Sequence, residues 1–249
     1  MCRLRHHDCR EAMWSIKNGD STPVRLSEQH VMDCSHRDNV DYFDINYKNI
    51  GCSGGYLDEY FKFMVEQGVI DYSVYPLPYS ATDQPCVHDA ADVKFKGINN
   101  GRHTSKTVSG IVSLLERGPL VIAITAGGTT FNRYKTGVLN TEDGCPESVG
   151  LNHAVTVVGY GSYQVEEQLN PPIQSCNKDK TKRDCTGAGE FWSQGQCCTE
   201  ISSMTVDKNY YLVQNSWSSN YGDGGFVRFN AQDGNGICGM NRWVTYLNV

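Results

Sequence analysis

A lone histidine, His153, stands at the head of the apolar, β-branched run Ala154-Val155-Thr156-Val157-Val158, which ends in Gly159-Tyr160-Gly161. Further along, Tyr210-Tyr211-Leu212-Val213-Gln214 is closed by Asn215-Ser216-Trp217. Both runs read as buried strands that deliver one polar residue to an end. The chemistry open to such a pair is to hold an imidazole. The asparagine oxygen accepts one ring N–H, and the other ring nitrogen is left to serve a nucleophile. Each piece alone has an ordinary explanation, a satisfied structural histidine and an asparagine in a turn, so the pair needs a nucleophile to be catalytic.

The elements that must position these residues alternate between helical and stranded signals. Residues 11–19 read as the end of a helix stopped by Gly19, with Met13 and Ile16 on one face. Ser27 is placed to N-cap a short helix that turns Val31 and Cys34 inward. Leu57, Tyr60, Phe61, Met64 and Val65 recur at helical spacing before Gly68 and predict an amphipathic helix whose aromatic and methionine stripe is core. Tyr75-Pro76-Leu77-Pro78-Tyr79 is stiff and extended and leads to Cys86. Val108, Ile111, Val112 and Leu115 predict another helix, stopped by Gly118-Pro119 and followed by the strand Leu120-Val121-Ile122-Ala123-Ile124. Phe226-Val227-Arg228-Phe229 and Val244-Thr245-Tyr246-Leu247 are further strands. The shift from helical to stranded composition sets a lobe boundary near residue 104.

At 249 residues the chain is long enough for one large domain or two lobes sharing an interface. Its net charge of −6 comes from scattered acids with no basic stripe, which argues against a nucleic-acid partner. No segment has the apolar length of a membrane helix, and Met1-Cys2-Arg3-Leu4-Arg5-His6-His7 is too polar for a signal peptide. Yet eleven cysteines, none in Cys-x-x-Cys spacing, point to disulfides and an oxidising compartment. A truncated N-terminus would reconcile the two.

Taken together and in this order, His153-Ala154-Val155 with Val158-Gly159-Tyr160-Gly161, Asn215-Ser216-Trp217, Ser27-Glu28-Gln29 with Asp33-Cys34, and Gly51-Cys52-Ser53-Gly54-Gly55 resemble the papain-like, cathepsin-like cysteine peptidases. The resemblance covers nearly the whole chain apart from the first ten residues and an insertion at about 162–208. It implies an α+β, two-lobe fold, with a mainly helical left lobe over residues 1–103, a right lobe built on an antiparallel β-barrel over residues 104–249, and a cleft between them. It implies a cysteine-type endopeptidase with His153 and Asn215 as two members of a Cys-His-Asn set, and with Gly54, Gly55, Tyr56, Ala123, Ala154, Trp217 and Trp243 binding substrate. Trp217 would shield the histidine–asparagine hydrogen bond from water. Gly54 and Gly55 would pair with extended peptide as an added strand. Tyr221 stands where the family often has tryptophan, and Trp243 where a small residue often ends the second side-chain pocket, which makes that pocket shallow.

The same resemblance puts the nucleophilic cysteine at about Met1, in a Cys-Gly-Ser-Cys-Trp motif that these residues lack, along with the upstream glutamine. Cys2 is a substitute one position away, and Cys9 lies about two helical turns too far along. The polypeptide as written is therefore expected to be inactive, a fragment or one with a foreign start. A catalytically inactive homologue that binds peptides or proteins is the alternative, and an unrelated disulfide-rich extracellular binding protein a third reading. The resemblance also implies disulfides Cys34–Cys86 and Cys145–Cys238, with Cys52 left single. Cys176, Cys185, Cys197 and Cys198 lie in the polar insertion with no histidine among them, and two disulfides are preferred there over zinc. No metal or other cofactor is expected. The expected partners are peptide or protein substrates and protein inhibitors, not nucleic acid or membrane. A monomer in a lysosomal or extracellular setting completes the expectation.

Overall fold

The computed structural model describes residues 7–19, 24–39, 47–140 and 150–248, without the side chains of residues 7–10, 13, 17 and 39. Two compact units are present, one of residues up to Gly161 together with those from Tyr210 onward, the other Ser162–Asn209.

The first unit begins with α1 (His7–Asn18) and α2 (Glu28–Cys34). The side chain of Ser27 accepts the backbone N–H of His30 at 3.0 Å and caps α2, as its position predicts. The carboxylate of Glu11 accepts the Leu26 N–H at 2.9 Å, tying α1 to the approach to α2. Ile16 does not face inward as expected and is 64% exposed. The inward contact of α1 is instead Trp14, edge-on to Phe95 at 6.0 Å between centroids. Helix α3 (Leu57–Glu66) buries Tyr60, Phe61, Phe63 and Met64 and gives way to Gly68, whose φ of +81° and closeness to the Phe95 carbonyl, 2.7 Å from where a Cβ would sit, admit only glycine. Strands β1 (Val69–Ile70) and β2 (Val93–Phe95) pair antiparallel beside it.

The remaining elements of this unit are β3 (Asn99–His103), α4 (Val108–Leu115), β4 (Leu120–Ile124), α5 (Thr129–Asn132) and β5 (Val138–Leu139). Strand β6 (His153–Asn177) begins in the first unit and continues through the second, β7 (Glu190–Ser193) lies in the second, and β8 (Gln196–Gln214) returns to the first. Strands β9 (Phe226–Asn230) and β10 (Val244–Asn248) complete the set. The sheet order is β3-β10-β4-β6-β8-β9-β5. The α+β class holds, but the described strands form an open sheet and not the antiparallel barrel expected. Its end strands are not paired with each other, and β5, which offers only two residues to a ladder, runs parallel to β9.

Strand β4 shows where the core lies. Leu120, Ile122 and Ile124 point into a cluster with Phe131, Val155, Val157, Val213 and Phe229, while Val121 points into a second cluster with Leu26, Val31, Phe61, Met64 and Leu247. The period of two therefore puts a sheet core on one face and a helical core on the other.

Cys34–Cys86 is formed, its Cα atoms 4.6 Å apart. Cys238 and Cys52 are also disulfide-bonded, to partners outside the described side chains. The expectation of a single Cys52 is thus wrong, because its sulfur is bonded in a disulfide. Cys145 of the expected pair with Cys238 lies outside the described residues. In the second unit Cys176–Cys198 and Cys185–Cys197 are bridged, beside a β7–β8 hairpin turned by Gln194 and Gly195 at positive φ. Glu190 lies beside the Cys185 and Cys197 sulfurs, but these are bonded to each other and present no thiolate to a metal.

Ser27→Ala is expected to destabilise the protein by about 1 kcal/mol through loss of the α2 cap, read as a lower urea midpoint at unchanged slope.

Candidate active site

Neighbouring strands β6 and β8 bring the head of one and the tail of the other to the same end of the sheet. His153 Nε2 and Asn215 Oδ1 lie 2.9 Å apart there. The backbone N–H of Ser216 donates to the same oxygen at 2.8 Å, and the Asn215 N–H is anchored on the Gly225 carbonyl at 3.0 Å. An atom that accepts from a backbone N–H is an oxygen, so the imidazole must carry its proton on Nε2. Nδ1 is thereby left as the basic nitrogen of the neutral ring. Asn215 Nδ2 is buried without a partner among the described residues.

Aromatic rings cover the pair. Trp217 lies 5.2 Å from His153 between centroids, and Phe131 meets both rings edge-on. Tyr221 packs edge-on against Trp217 at 5.1 Å, and its hydroxyl donates to the Phe131 carbonyl at 2.9 Å. The tyrosine at this position thus pins α5 as well as covering the indole. Burial lowers the His153 pKa below its ordinary value, against which the Asn215 hydrogen bond raises it.

His153 opens on a cavity of about 520 Å³ in the first unit. Its lining includes Gly54, Gly55, Tyr56, Ala123, Ala154, Trp217 and Trp243. All seven residues assigned to substrate by resemblance therefore lie around one space, with Asn215 behind the histidine. Ala123 and Ala154 are cross-strand partners in the β4–β6 ladder, and Ile124 is the partner of His153, so the register of that ladder sets this wall. Trp243 is held on three sides: its Nε1–H donates to Asp58 at 3.3 Å, the Arg102 guanidinium sits 4.1 Å over its ring, and Tyr56 stacks at 6.3 Å. Cys2 lies outside the described residues, and the side chain of Cys9 does too. Cys52 lines the cavity and is disulfide-bonded.

The two glycines differ. Gly54 donates its N–H to the Gly51 carbonyl at 3.2 Å and accepts from Ile50 N–H at 2.9 Å, whereas neither backbone group of Gly55 is hydrogen-bonded among the described residues. Residues that sequence reasoning passed over also belong here. Leu151, Asn152 and Ser216 line the cavity, and the Asn152 oxygen accepts the Ala126 N–H at 2.8 Å. Asn152 and Ser216 were reachable as neighbours of His153 and Asn215. Asn49, which also lines it, had no signal in the pattern.

Comparison with known proteins gives matches along nearly the whole chain. A family described as "Papain family cysteine protease" matches residues 7–247. Cathepsin S of Mus musculus is 28% identical over 96% of this chain and 54% of its own length, and chymopapain of Carica papaya 30% over 90% and 47%. The chain thus spans about half the length of the curated relatives it matches. The bromelain protease from Ananas comosus, solved in complex with the E64 inhibitor, superposes with a TM-score of 0.66 at 26% identity, covering 97% of this chain and 85% of that one.

The lowered His153 pKa has a sign. The unfolded chain takes up a proton near pH 6.5 while the folded one does not, so stability from this residue is present above about pH 6.5 and falls as pH drops toward the folded value. An NMR titration is expected to place His153 below 6.5, and Asn215→Ala to place it lower still, since the hydrogen bond that raises it is gone.

Proposed function

The chain belongs to the papain family of cysteine proteases, and from that premise we propose that its cavity binds extended peptide and that His153 and Asn215 serve cysteine-dependent hydrolysis of the peptide bond. The observation that carries this reading is the Nε2 to Oδ1 hydrogen bond of 2.9 Å at the edge of the cavity. It fixes one imidazole tautomer and leaves Nδ1 to exchange a proton with a thiol.

In the proposed reaction a cysteine thiolate attacks the scissile carbonyl carbon and a C–S bond forms. The imidazolium gives its Nδ1 proton to the departing amine nitrogen as the C–N bond breaks. Water, giving a proton back to Nδ1, then cleaves the thioester to acid and thiolate, restoring the thiolate–imidazolium pair. Gly55, the glycine with unengaged backbone groups, is the proposed partner of the peptide main chain. Trp243, held by Asp58, Arg102 and Tyr56, narrows the neighbouring side-chain pocket and favours small residues there. We assign residues 1–103 and 104–249 to two lobes, and the insertion at about 162–208 to the second. The bridged cysteines and the family support an oxidising, lysosomal or extracellular setting; among the described residues no helix is long and apolar enough to cross a membrane.

Peptide binding without hydrolysis is the second reading. What favours it is that the only described cysteine lining the cavity, Cys52, is tied up in a disulfide. The polypeptide of 249 residues is accordingly expected not to hydrolyse peptides itself. The test assays it beside a version whose residues 1–10 are replaced by a Gln…Cys-Gly-Ser-Cys-Trp segment. Turnover only in the second version, lost by at least about a thousandfold with His153→Ala, is the expected result. Turnover by the unaltered chain that disappears with Cys2→Ala would make Cys2 the nucleophile instead. Peptide affinity without turnover in either version would select the second reading.

A further inference from the structure

Gly55 can offer its carbonyl to a peptide only if the peptide unit it shares with Tyr56 is turned the right way, and one buried side chain decides that. Asn49 is 2% exposed. Its Oδ1 accepts the Tyr56 N–H at 2.9 Å, and its Nδ2 donates to the Ser35 hydroxyl at 3.1 Å. Its own backbone carbonyl accepts the Arg37 N–H at 2.8 Å, so the residue is fixed at both main chain and side chain.

A trans peptide unit is planar, with its C=O and N–H pointing in opposite directions. When Asn49 takes the Tyr56 N–H from the buried side, the Gly55 carbonyl faces away from Asn49, toward the open side where Gly55 is exposed at the cavity. The same contact explains the glycine. A Cβ on Gly55 would collide with Asn49 Oδ1, so the carboxamide and the missing side chain form one fitted pair.

We propose that Asn49 is a positioning residue for substrate binding, which locks the Gly55–Tyr56 peptide plane so that the Gly55 carbonyl accepts a main-chain N–H of the bound peptide. This rests on the reading of the cavity as a site for extended peptide. In this role Asn49 acts through the orientation of that carbonyl.

The test uses an acetyl- and amide-blocked tetrapeptide and its singly N-methylated forms, with affinities measured by calorimetry on the chain as it stands. One methylated form is expected to bind about five- to tenfold more weakly, the worth of one hydrogen bond. In Asn49→Ala that penalty is expected to shrink below about twofold, because the parent peptide weakens while the methylated one does not. Asn49→Asp, which keeps an oxygen for the Tyr56 N–H, is expected to retain the penalty. Equal weakening of both peptides by Asn49→Ala, or loss of the penalty in Asn49→Asp, overturns the proposal and leaves Asn49 structural. If no methylation matters in the unsubstituted chain, the extended-peptide reading itself fails and the proposal with it, an outcome distinguishable from the others. Should Asn49→Ala not fold, Ser35→Ala carries the test by freeing Nδ2 alone. It is expected to at least halve the penalty, and an unchanged penalty overturns the proposal.

Discussion

Strand β4 is buried on both faces, and most of the fold follows from that. Leu120, Ile122 and Ile124 belong to the sheet core, and Val121 between them to the helical core. A one-residue slip would exchange the two sets and send each apolar side chain to the wrong cluster, so the register against β6 is strongly fixed. That register pairs Ile124 with His153 and Ala123 with Ala154. The histidine therefore sits at the sheet end, beside a wall of small residues, as a consequence of core packing a few residues away.

The features legible in the sequence were those with a period or a cap. The α3 stripe, the β4 run, the Ser27 cap and the strands ending at His153 and Asn215 each follow from local spacing that tertiary structure had no reason to override. The hydrogen-bonded pair His153 and Asn215 was legible for the same reason, since a polar residue closing an apolar run has one place to go. Ile16 shows the limit of such reasoning: two apolar residues three apart define a face, but a helix end has several, and Trp14 with its larger apolar surface took the inward one.

Less legible was whatever depends on a long-range partner. Closure of the sheet is a property of its two end strands, and no run predicts that β5 would have only two residues. The disulfide-bonded state of Cys52 has no signal in the local pattern. Asn49 lies in a polar loop without pattern, and its meaning appears only when Tyr56 and Ser35 are placed on either side of its carboxamide. The Gly-Gly signal does not tell the two residues apart. Gly54 closes its own turn, whereas the backbone groups of Gly55 have no hydrogen bond among the described residues.

The Nδ2 of Asn215, buried without a partner among the described residues, shows how firmly the imidazole is held. A buried donor without a partner costs about 1–3 kcal/mol, so a flip of the amide would be expected if it recovered a bond. Here the flip would face Nδ2 with the Ser216 N–H and the His153 Nε2–H, both donors, and would sacrifice the two hydrogen bonds that Oδ1 now accepts. One orphan is cheaper than two lost bonds and two opposed donors. The cost is thus tolerated because the backbone of Ser216 supplies a second donor that the side chain cannot move, and that backbone N–H, two residues beyond the strand, is what selects the imidazole tautomer. The half of the site proposed to handle the proton is set by fixed main chain near a strand end, while the half proposed to hold peptide is set by a carboxamide in a loop, so the two can be altered independently.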